Sequence, residues 1–313
     1  MSAVVLKIIL PLFGIMAAGY LCGRLRILPE NSSEVLGRFV FVIALPALIV
    51  VSLARMPMAD FFAWHYIAAL GGGMLTTYAI AFLVARSFFP DTLTAHSLHA
   101  LTAMFSSTGY VGLPLILFAF GDAGLPAAIF GVIITSACFL PLTVIMSELD
   151  NGRREKRSGF RPFATVLVNP LFLATAAGLA ASATGTEIPG PAAKFCELLG
   201  GAYIPCALFS AGLFMSRHAA LGGTGEVVWL IVAKLFVHPL ITWWLAYKVM
   251  GLEGILPAIA VLQAALPSGV PAFVLAQSYR TFEARSNAVI VISTALSIVT
   301  LTALLILLEV GSH

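Results

Sequence analysis

Long runs of apolar residues alternate with short polar segments along the whole chain. When Asp, Glu, Lys and Arg are taken as interruptions, ten long uncharged stretches remain, and they begin at residues 8, 39, 61, 92, 123, 162, 198, 227, 254 and 286. The eighth stretch is interrupted once, by Lys234. Most stretches reach or approach the roughly 20 residues that a helix needs to cross a bilayer. The pattern therefore predicts an all-α polytopic membrane protein with ten transmembrane helices, rather than the alternating strands of a barrel.

The two halves of the chain resemble each other. PLFGIMAAG at 11–19 and PLFLATAAG at 170–178 share six of nine residues at an offset of 159 positions. Pro46 in LPAL and Pro205 in IPCAL are separated by the same 159 positions. Because each half holds an odd number of predicted spans, the second half must cross in the opposite direction, as in the inverted repeats of secondary transporters. The expected division is a first five-helix repeat at 1–150, a cytoplasmic basic loop at 151–165 and a second, inverted repeat at 166–313.

The overall composition agrees with a membrane protein. The 313 residues are 60% hydrophobic and only 10% charged, whereas a soluble domain carries about 25% charged residues. These figures disfavour a soluble enzyme and also a disordered chain. The four cysteines form no CxxC pair and lie in or beside apolar runs, so they predict neither a disulfide framework nor a zinc site. We expect no cofactor, no metal and no nucleic-acid partner.

The distribution of Lys and Arg predicts the orientation of the chain in the membrane. Of the 17 basic residues, 12 lie in or beside the segments that follow odd-numbered spans, and the densest group is RREKRSGFR at 153–161. Four lie on the other side, counting the termini, and Lys234 is the remaining one. The segments after odd-numbered spans are therefore predicted to be cytoplasmic, and both termini periplasmic.

Helix-breaking residues are concentrated at corresponding places in the fourth and ninth stretches, which are the two longest. The fourth reads SSTGYVGLP at 106–114 and the ninth reads LPSGVPAF at 266–273. Proline removes a backbone donor and glycine disfavours helix, so we expect two discontinuous helices that cross in mid-membrane. Their half-helix N-termini would favour an anion, with further donors from the hydroxyls of Ser106, Ser107, Thr108 and Ser268. The alternative is two kinked helices that bind nothing.

Lys234 is the one strongly ionisable residue predicted at depth, and His238 follows one helical turn later on the same face. Two functional roles are open: Lys234 lends positive charge to an anion site, or it exchanges a proton together with His238. The alternative is that Lys234 extends towards the cytoplasmic surface and His238 lies at a kink before Pro239. His96 and His99 have a spacing that can chelate metal, but without a third ligand nearby we expect no metal there.

Four segments resemble the auxin efflux carrier family, which includes plant auxin exporters and bacterial malonate transporters. They are FVFVIALPALIVVSLA at 39–54, TGYVGLPL at 108–115, AKLFVHPL at 233–240 and ALPSGVPAFVLAQSY at 265–279. The resemblance extends over the full length. It implies ten helices in two inverted five-helix repeats, similar to bile-acid sodium symporters, with a scaffold part and a transport part. It also implies a homodimer.

The resemblance further implies a substrate site where the two broken helices cross. On this chain the site maps to residues of both breaks, namely Ser106, Ser107, Thr108, Gly109, Tyr110, Pro114, Pro267, Ser268, Gly269, Val270 and Pro271. Gln263 flanks the second break and is a further candidate for the cavity. Many family members carry an asparagine where this chain has Ser107, so a hydroxyl stands in place of an amide with both a donor and an acceptor.

The sequence therefore predicts a secondary carrier, active or facilitative, that moves a small organic anion across a bacterial cytoplasmic membrane by alternating access. The anion is expected to be a mono- or dicarboxylate of the malonate, malate or auxin kind. The alternative is a sodium-coupled symporter of a bile-acid-like or other small organic solute, in which hydroxyls, amides and carbonyls bind the ion. An intramembrane enzyme is disfavoured because no HExxH motif or intramembrane Asp pair is present. A receptor without transport would need a soluble output domain, for which the loops are too short.

Overall fold

The computed structural model describes residues 8–55, 64–151, 170–185, 188–217 and 224–308. Within these ranges the regular structure is helical, apart from one isolated bridge between two single residues. The predicted basic segment at 153–161 lies outside the described residues.

Within the described residues, the first half of the chain contains six helices. They are α1 (Leu10–Arg24), α2 (Ser32–Ala54), α3 (Trp64–Phe88), α4 (Leu93–Met104), α5 (108–120) and α6 (125–151). A π-turn lies just ahead of a proline in three of them, at Pro46 of α2, Pro114 of α5 and Pro141 of α6. The wider turn accommodates the missing N–H and the proline ring without ending the helix. Between α5 and α6 the chain turns at Gly121, whose φ of +63° favours glycine.

The second half of the described chain also contains six helices. They are α7 (Pro170–Thr184), α8 (Gly190–Arg217), α9 (Gly225–Val249), α10 (Leu256–Ala265), α11 (Val270–Ser278) and α12 (Glu283–Leu307). The first π-turn of α9, Ala233–Val237, contains Lys234 and lies just ahead of Pro239. π-turns inside α-helices are frequent at functional sites.

The length and apolar character of the helices fit a membrane. Six helical stretches of the described chain are long and apolar enough to cross one, namely Ser32–Ala54, Trp64–Phe88, Thr108–Ile134 (which includes the turn at Gly121), Gly190–Arg217, Gly225–Val249 and Glu283–Leu307. Three shorter helices, α1, α7 and α10, are also apolar. Large apolar side chains such as Leu83, Val299 and Leu307 are more than half exposed. The prediction of an all-helical, polytopic membrane protein is confirmed.

Two pairs of helices approach each other closely at glycines. Gly19 of α1 lies against the backbone of Phe209 in α8, and Gly178 of α7 lies against the carbonyl of Val50 in α2. A Cβ at Gly178 would lie 3.2 Å from the Val50 oxygen, and a Cβ at Gly19 would overlap the Phe209 oxygen. Such small residues let membrane helices make backbone van der Waals contact. Helices α1, α2, α7 and α8 thus form one packed group, and α3–α6 with α9–α12 form a second around the interrupted helices.

Candidate functional site

The interruption between α4 and α5 and the one between α10 and α11 meet inside the protein. The first break comprises residues 105–107 and the second break residues 266–269. Ser106 and Ser268, both buried, form the isolated antiparallel bridge. Two backbone hydrogen bonds complete the contact, from the Ser107 N–H to the Pro267 carbonyl at 2.9 Å and from the Gly269 N–H to the Phe105 carbonyl at 3.0 Å. The two breaks therefore satisfy each other's backbone groups, which lipid could not do.

The two breaks have different local causes. In the second break, Pro267 restricts the preceding Leu266 to an extended conformation with ψ 152°, so α10 ends at Ala265. The first break contains neither glycine nor proline, and its Phe105 is extended with ψ 103°. The break at 105–107 therefore begins one residue before the predicted segment, and it depends on pairing with the second break. A Cβ at Gly269 would lie 2.7 Å from the Phe105 ring, so only glycine permits this approach.

Lys234 reaches the crossing of the two breaks and is completely buried. Its Nζ donates hydrogen bonds to Ser106 Oγ at 2.7 Å and to the Ala264 carbonyl at 2.8 Å, and it lies 3.1 Å from His238 Nδ1. An ammonium group has three donors, so these contacts account for all of them. The alternative in which Lys234 extends to the surface is wrong, because its side chain ends between the two interrupted helices.

The four hydroxyls predicted to serve the site have different environments. Ser106 accepts from Lys234, and Ser268 Oγ donates to the Thr102 carbonyl at 2.9 Å. Thr108 Oγ1 lies 3.3 Å from Thr135 Oγ1. Ser107 is 7% exposed, and no described residue forms a hydrogen bond with its hydroxyl. Ser107 is therefore the hydroxyl of this group that remains available to a ligand.

Gln263 lies inside the protein and lines neither of the two cavities described below. Its Nε2 lies 3.3 Å from the Ala127 carbonyl, and its amide packs against Gly131 of α6, where a Cβ would overlap it. Its Oε1 is buried without a hydrogen-bond partner among the described residues. Gln263 joins α10 to α6 close to the second break.

A cavity of about 930 Å³, called here the Arg38 cavity, leads to one side of the crossing. Its lining from the breaks and their following helices includes Tyr110, Val270 and Pro271, all predicted site residues. Arg38, near the start of α2, and Arg217, at the end of α8, also line it. Ser278, the last residue of α11, lies on the same side. Two aromatic pairs narrow it, with ring centroids of Phe41 and Tyr110 5.6 Å apart and those of Phe214 and Phe273 5.5 Å apart.

A second cavity of about 710 Å³, the Arg55 cavity, lies towards the other end of α2. Its lining includes Arg55, Tyr66, Asp122 and Phe130. Helices α4 and α11 run from the crossing towards the Arg38 side, whereas α5 and α10 run towards the Arg55 side. The crossing of the two breaks thus separates two cavities, one on each side.

Comparison with known proteins identifies the family. A family model described as "Membrane transport protein" matches residues 4–305. The chain belongs to this family, the auxin efflux carriers. The resemblance inferred from the sequence segments is confirmed, and the family consists of transporters rather than enzymes.

Three relatives show how far the sequence similarity of this auxin efflux carrier family member extends. A candidate malonate transporter of Rhizobium meliloti is 29% identical over 311 residues, which is 97% of this chain and 96% of the relative. A transporter of Methanothermobacter thermautotrophicus, named without a substrate, is 28% identical over 296 residues, 94% and 95% of the two chains. Auxin efflux carrier component 1 of Arabidopsis thaliana is 35% identical over 95 residues, 30% of this chain and 15% of the relative.

The transporter also contains a charged network that the sequence did not predict, near the start of α4. Glu226 contacts His99 Nδ1 and Arg285 Nη1, and Arg285 Nη2 contacts Asp91, all at 2.8 Å. Partial burial disfavours the Asp91 carboxylate, but hydrogen bonds from Arg285 and the Thr92 N–H hold the pKa of Asp91 below its ordinary value. The network joins α4 to α9 and α12, so it fastens together the helices that carry the first break and Lys234.

His96 and His99 do not converge on one ligand position in this carrier. His96 Nε2 lies 2.9 Å from the Phe89 carbonyl, whereas His99 faces Glu226. Within the described residues, no group of three or more His, Cys, Asp or Glu side chains is placed to hold a metal ion.

Proposed function

We propose that this chain is a secondary carrier, active or facilitative, that moves a small organic anion by alternating access. The observation that carries the proposal is the ammonium of Lys234 at the crossing, where no carboxylate occurs among the described residues that contact it. A buried positive charge favours a nearby anion, because Coulomb attraction is strong where water is excluded. The Rhizobium meliloti relative, named for malonate, supports a dicarboxylate as the substrate.

The anion binds beside Lys234 rather than directly to it in this proposal. The three Lys234 donors are already used by protein atoms, so its charge acts through the electric field. The unpaired hydroxyl of Ser107 donates to the substrate carboxylate, and Val270 at the N-terminal end of α11 offers the favourable end of a helix dipole. Tyr110 and Pro271 close the Arg38 side of the site. Ser106, Ser268 and Gly269 hold the crossing together.

The two groups of helices are proposed to be a scaffold and a moving part. The scaffold is α1, α2, α7 and α8, and the moving part is α3–α6 with α9–α12. The Arg38 cavity supports this division, because its walls come from both groups: Arg38 and Arg217 from the scaffold, Tyr110 and Val270 from the moving part. Displacing one part against the other would close this cavity and open the Arg55 cavity, which is the alternating access of carriers built from repeats.

The two halves, 1–150 and 166–313, are proposed to be inverted five-helix repeats that together give ten spans, with α4–α5 and α10–α11 as the broken ones. The glycine contacts support this. Gly19 and Gly178 stand 159 positions apart, and so do their partners Val50 and Phe209, but each glycine contacts the partner in the other half. Such exchange is expected of two repeats related by a pseudo-two-fold axis.

The Arg38 side is proposed to be cytoplasmic and both termini periplasmic, in the inner membrane of a bacterium. The distribution of Lys and Arg supports this orientation. Glu30 and Arg217, which follow odd-numbered spans, line the same cavity, and so does Ser278 near the end of the ninth span. The loop 151–165 would lie on this side. A homodimer, implied by the family resemblance, is part of the same proposal.

Uptake by the purified chain in liposomes tests the proposed function. Malonate, malonamide and 1,3-diaminopropane are three solutes of similar size with negative, neutral and positive charge. We expect saturable uptake of labelled malonate that unlabelled malonate inhibits and the other two do not. Labelled mono- and dicarboxylates of increasing size then define the substrate. Uptake of malonamide or diaminopropane, together with no uptake of any anion in the panel, would show that the anion assignment is wrong.

A further inference from the structure

We propose that the side chain of Lys234 is a covalently attached cation that takes the place of a soluble coupling cation at the crossing. The expected consequence is that transport requires no sodium, and this consequence rests on the proposed function as an anion carrier. It separates the anion carrier from the sodium-coupled symporter that the sequence left open, because an ion held by hydroxyls and carbonyls would compete for the same acceptors.

The geometry around Nζ is that of a small cation site. Its acceptors come from three separate parts of the fold: Ser106 in the first break, Ala264 in the last turn of α10, and His238 one turn further along α9. The two oxygens lie at 2.7 and 2.8 Å and the imidazole nitrogen at 3.1 Å. The side chain of Lys234 is completely buried, and the protein itself supplies these three contacts.

The ends of the half-helices explain why a cation belongs here. The last carbonyls of a helix have no intrahelical donor, and the C-terminal end carries partial negative charge. Ala264 lies in the last turn of α10, and α4 ends two residues before Ser106. Both helices therefore end close to the position that Nζ occupies, and α10 contributes a carbonyl to it directly. A cation at this point stabilises both of them, and here the protein supplies that cation itself.

Removing the amine should convert the position into a site for a soluble cation. We suggest the variant Lys234→Ala in the full-length purified chain, with thermal unfolding measured in detergent at increasing methylammonium, sodium or choline. Methylammonium replaces the lost group, sodium tests the smaller ion, and choline has no N–H donor. A ligand that binds only the folded state raises the melting temperature with concentration. We expect methylammonium to stabilise Lys234→Ala and to leave the unsubstituted chain unchanged.

Matched variants identify the position that binds the cation. Lys248→Ala removes an exposed lysine from the same helix and should show no response to methylammonium. Lys234→Ala combined with Ser106→Ala removes one acceptor and should weaken the response at least several-fold. Lys234→Met keeps most of the side-chain volume without the charge, so it should fold but give no response. If Lys234→Ala proves too unstable to purify alone, both variants are prepared with methylammonium. Methylammonium should then restore folding to Lys234→Ala and have no effect on Lys234→Met.

The thermal measurement needs no substrate, so it can succeed or fail independently of the proposed anion transport. Equal responses of Lys234→Ala and Lys248→Ala would overturn the assignment of the cation position. In liposomes, uptake by the unsubstituted chain should be unchanged when sodium is replaced by choline, and uptake by Lys234→Ala should rise about tenfold with methylammonium. A sodium requirement in the unsubstituted chain would overturn the proposal.

Discussion

Lys234 and Ser106 are 128 residues apart in the chain, and a hydrogen bond of 2.7 Å from Nζ to Oγ joins them at the crossing of the two broken helices. The neighbouring Ser107 bonds through its backbone, with its N–H donating to the Pro267 carbonyl at 2.9 Å, and its hydroxyl has no hydrogen-bond partner among the described residues. Two adjacent serines of the first break therefore have different roles: Ser106 holds the buried lysine, and Ser107 is proposed to meet the substrate.

The pair of serines gives a direct comparison. Ser106→Ala leaves a buried ammonium one acceptor short, so we expect it to lower the free energy of unfolding by about 1–3 kcal/mol. Ser107→Ala should change stability by less than about 0.5 kcal/mol, in the range of unconstrained positions, and should weaken malonate uptake instead. Melting temperatures and uptake of both variants, measured side by side, test this. A loss of stability for Ser107→Ala equal to that of Ser106→Ala would contradict the assigned roles.

Ser107 is also the position that should adjust substrate choice. An asparagine there supplies both a donor and an acceptor in one plane, where serine has a single rotatable hydroxyl. We therefore expect Ser107→Asn to change the ratio of uptake rates between a dicarboxylate and a monocarboxylate several-fold, with little change in melting temperature. The uptake panel measures that ratio. An unaltered ratio would remove Ser107 from the substrate site.

The close contact of α1 with α8 predicts a strong difference between two glycines of α1. Gly14 is exposed and has no atom within 4 Å of an added Cβ, so Gly14→Ala should be neutral or stabilising by up to about 1 kcal/mol. At Gly19 an added Cβ overlaps the Phe209 carbonyl, and overpacking of this kind costs about 1–3 kcal/mol. Thermal unfolding in detergent compares the two variants. Equal stability of both would show that α1 and α8 do not touch at Gly19.

The charged network predicts a pH dependence of stability through Asp91. Because the pKa of Asp91 in the folded protein lies below its ordinary value of about 3.9, its carboxylate stabilises the fold above that pH. This contribution is lost as the pH falls below about 4 and through the lower folded pKa. Asp91→Asn should therefore melt earlier than the unsubstituted chain at pH 7, and the difference should shrink towards pH 3. Glu253→Gln, at an exposed position, is the control and should change the free energy of unfolding at pH 7 by less than about 0.5 kcal/mol.

The sequence predicted the second break well, because Pro267 determines the backbone of its own neighbour. It was less accurate for the first break, where the glycines and Pro114 lie inside α5 and the interruption at 105–107 has no breaker of its own. That break depends on hydrogen bonds to residues about 160 positions away, which local preferences do not contain. The burial of Lys234 could also be predicted from local sequence, because a single charged residue inside a long apolar run is expected to lie within the protein.

The sequence could not predict which distant residues form hydrogen bonds or ion pairs with each other. The contacts of Lys234 with Ser106 and Ala264 join α9 to the first break and to α10, and the network of Asp91, Glu226 and Arg285 joins parts of the chain nearly 200 positions apart. The available signal was that Glu226 and Arg285 stand at the beginnings of apolar stretches. Their pairing follows from helix packing, and it needed the structure.

The central claim is that the buried charge of Lys234 attracts an anionic substrate to the crossing. The most direct measurement is counterflow of labelled malonate in liposomes, which needs no ion gradient, for the unsubstituted chain, Lys234→Gln and Lys248→Gln. We expect rapid exchange in the first and third and at least a tenfold loss in Lys234→Gln, with all three proteins folded. Exchange by Lys234→Gln at the rate of the unsubstituted chain would contradict the account.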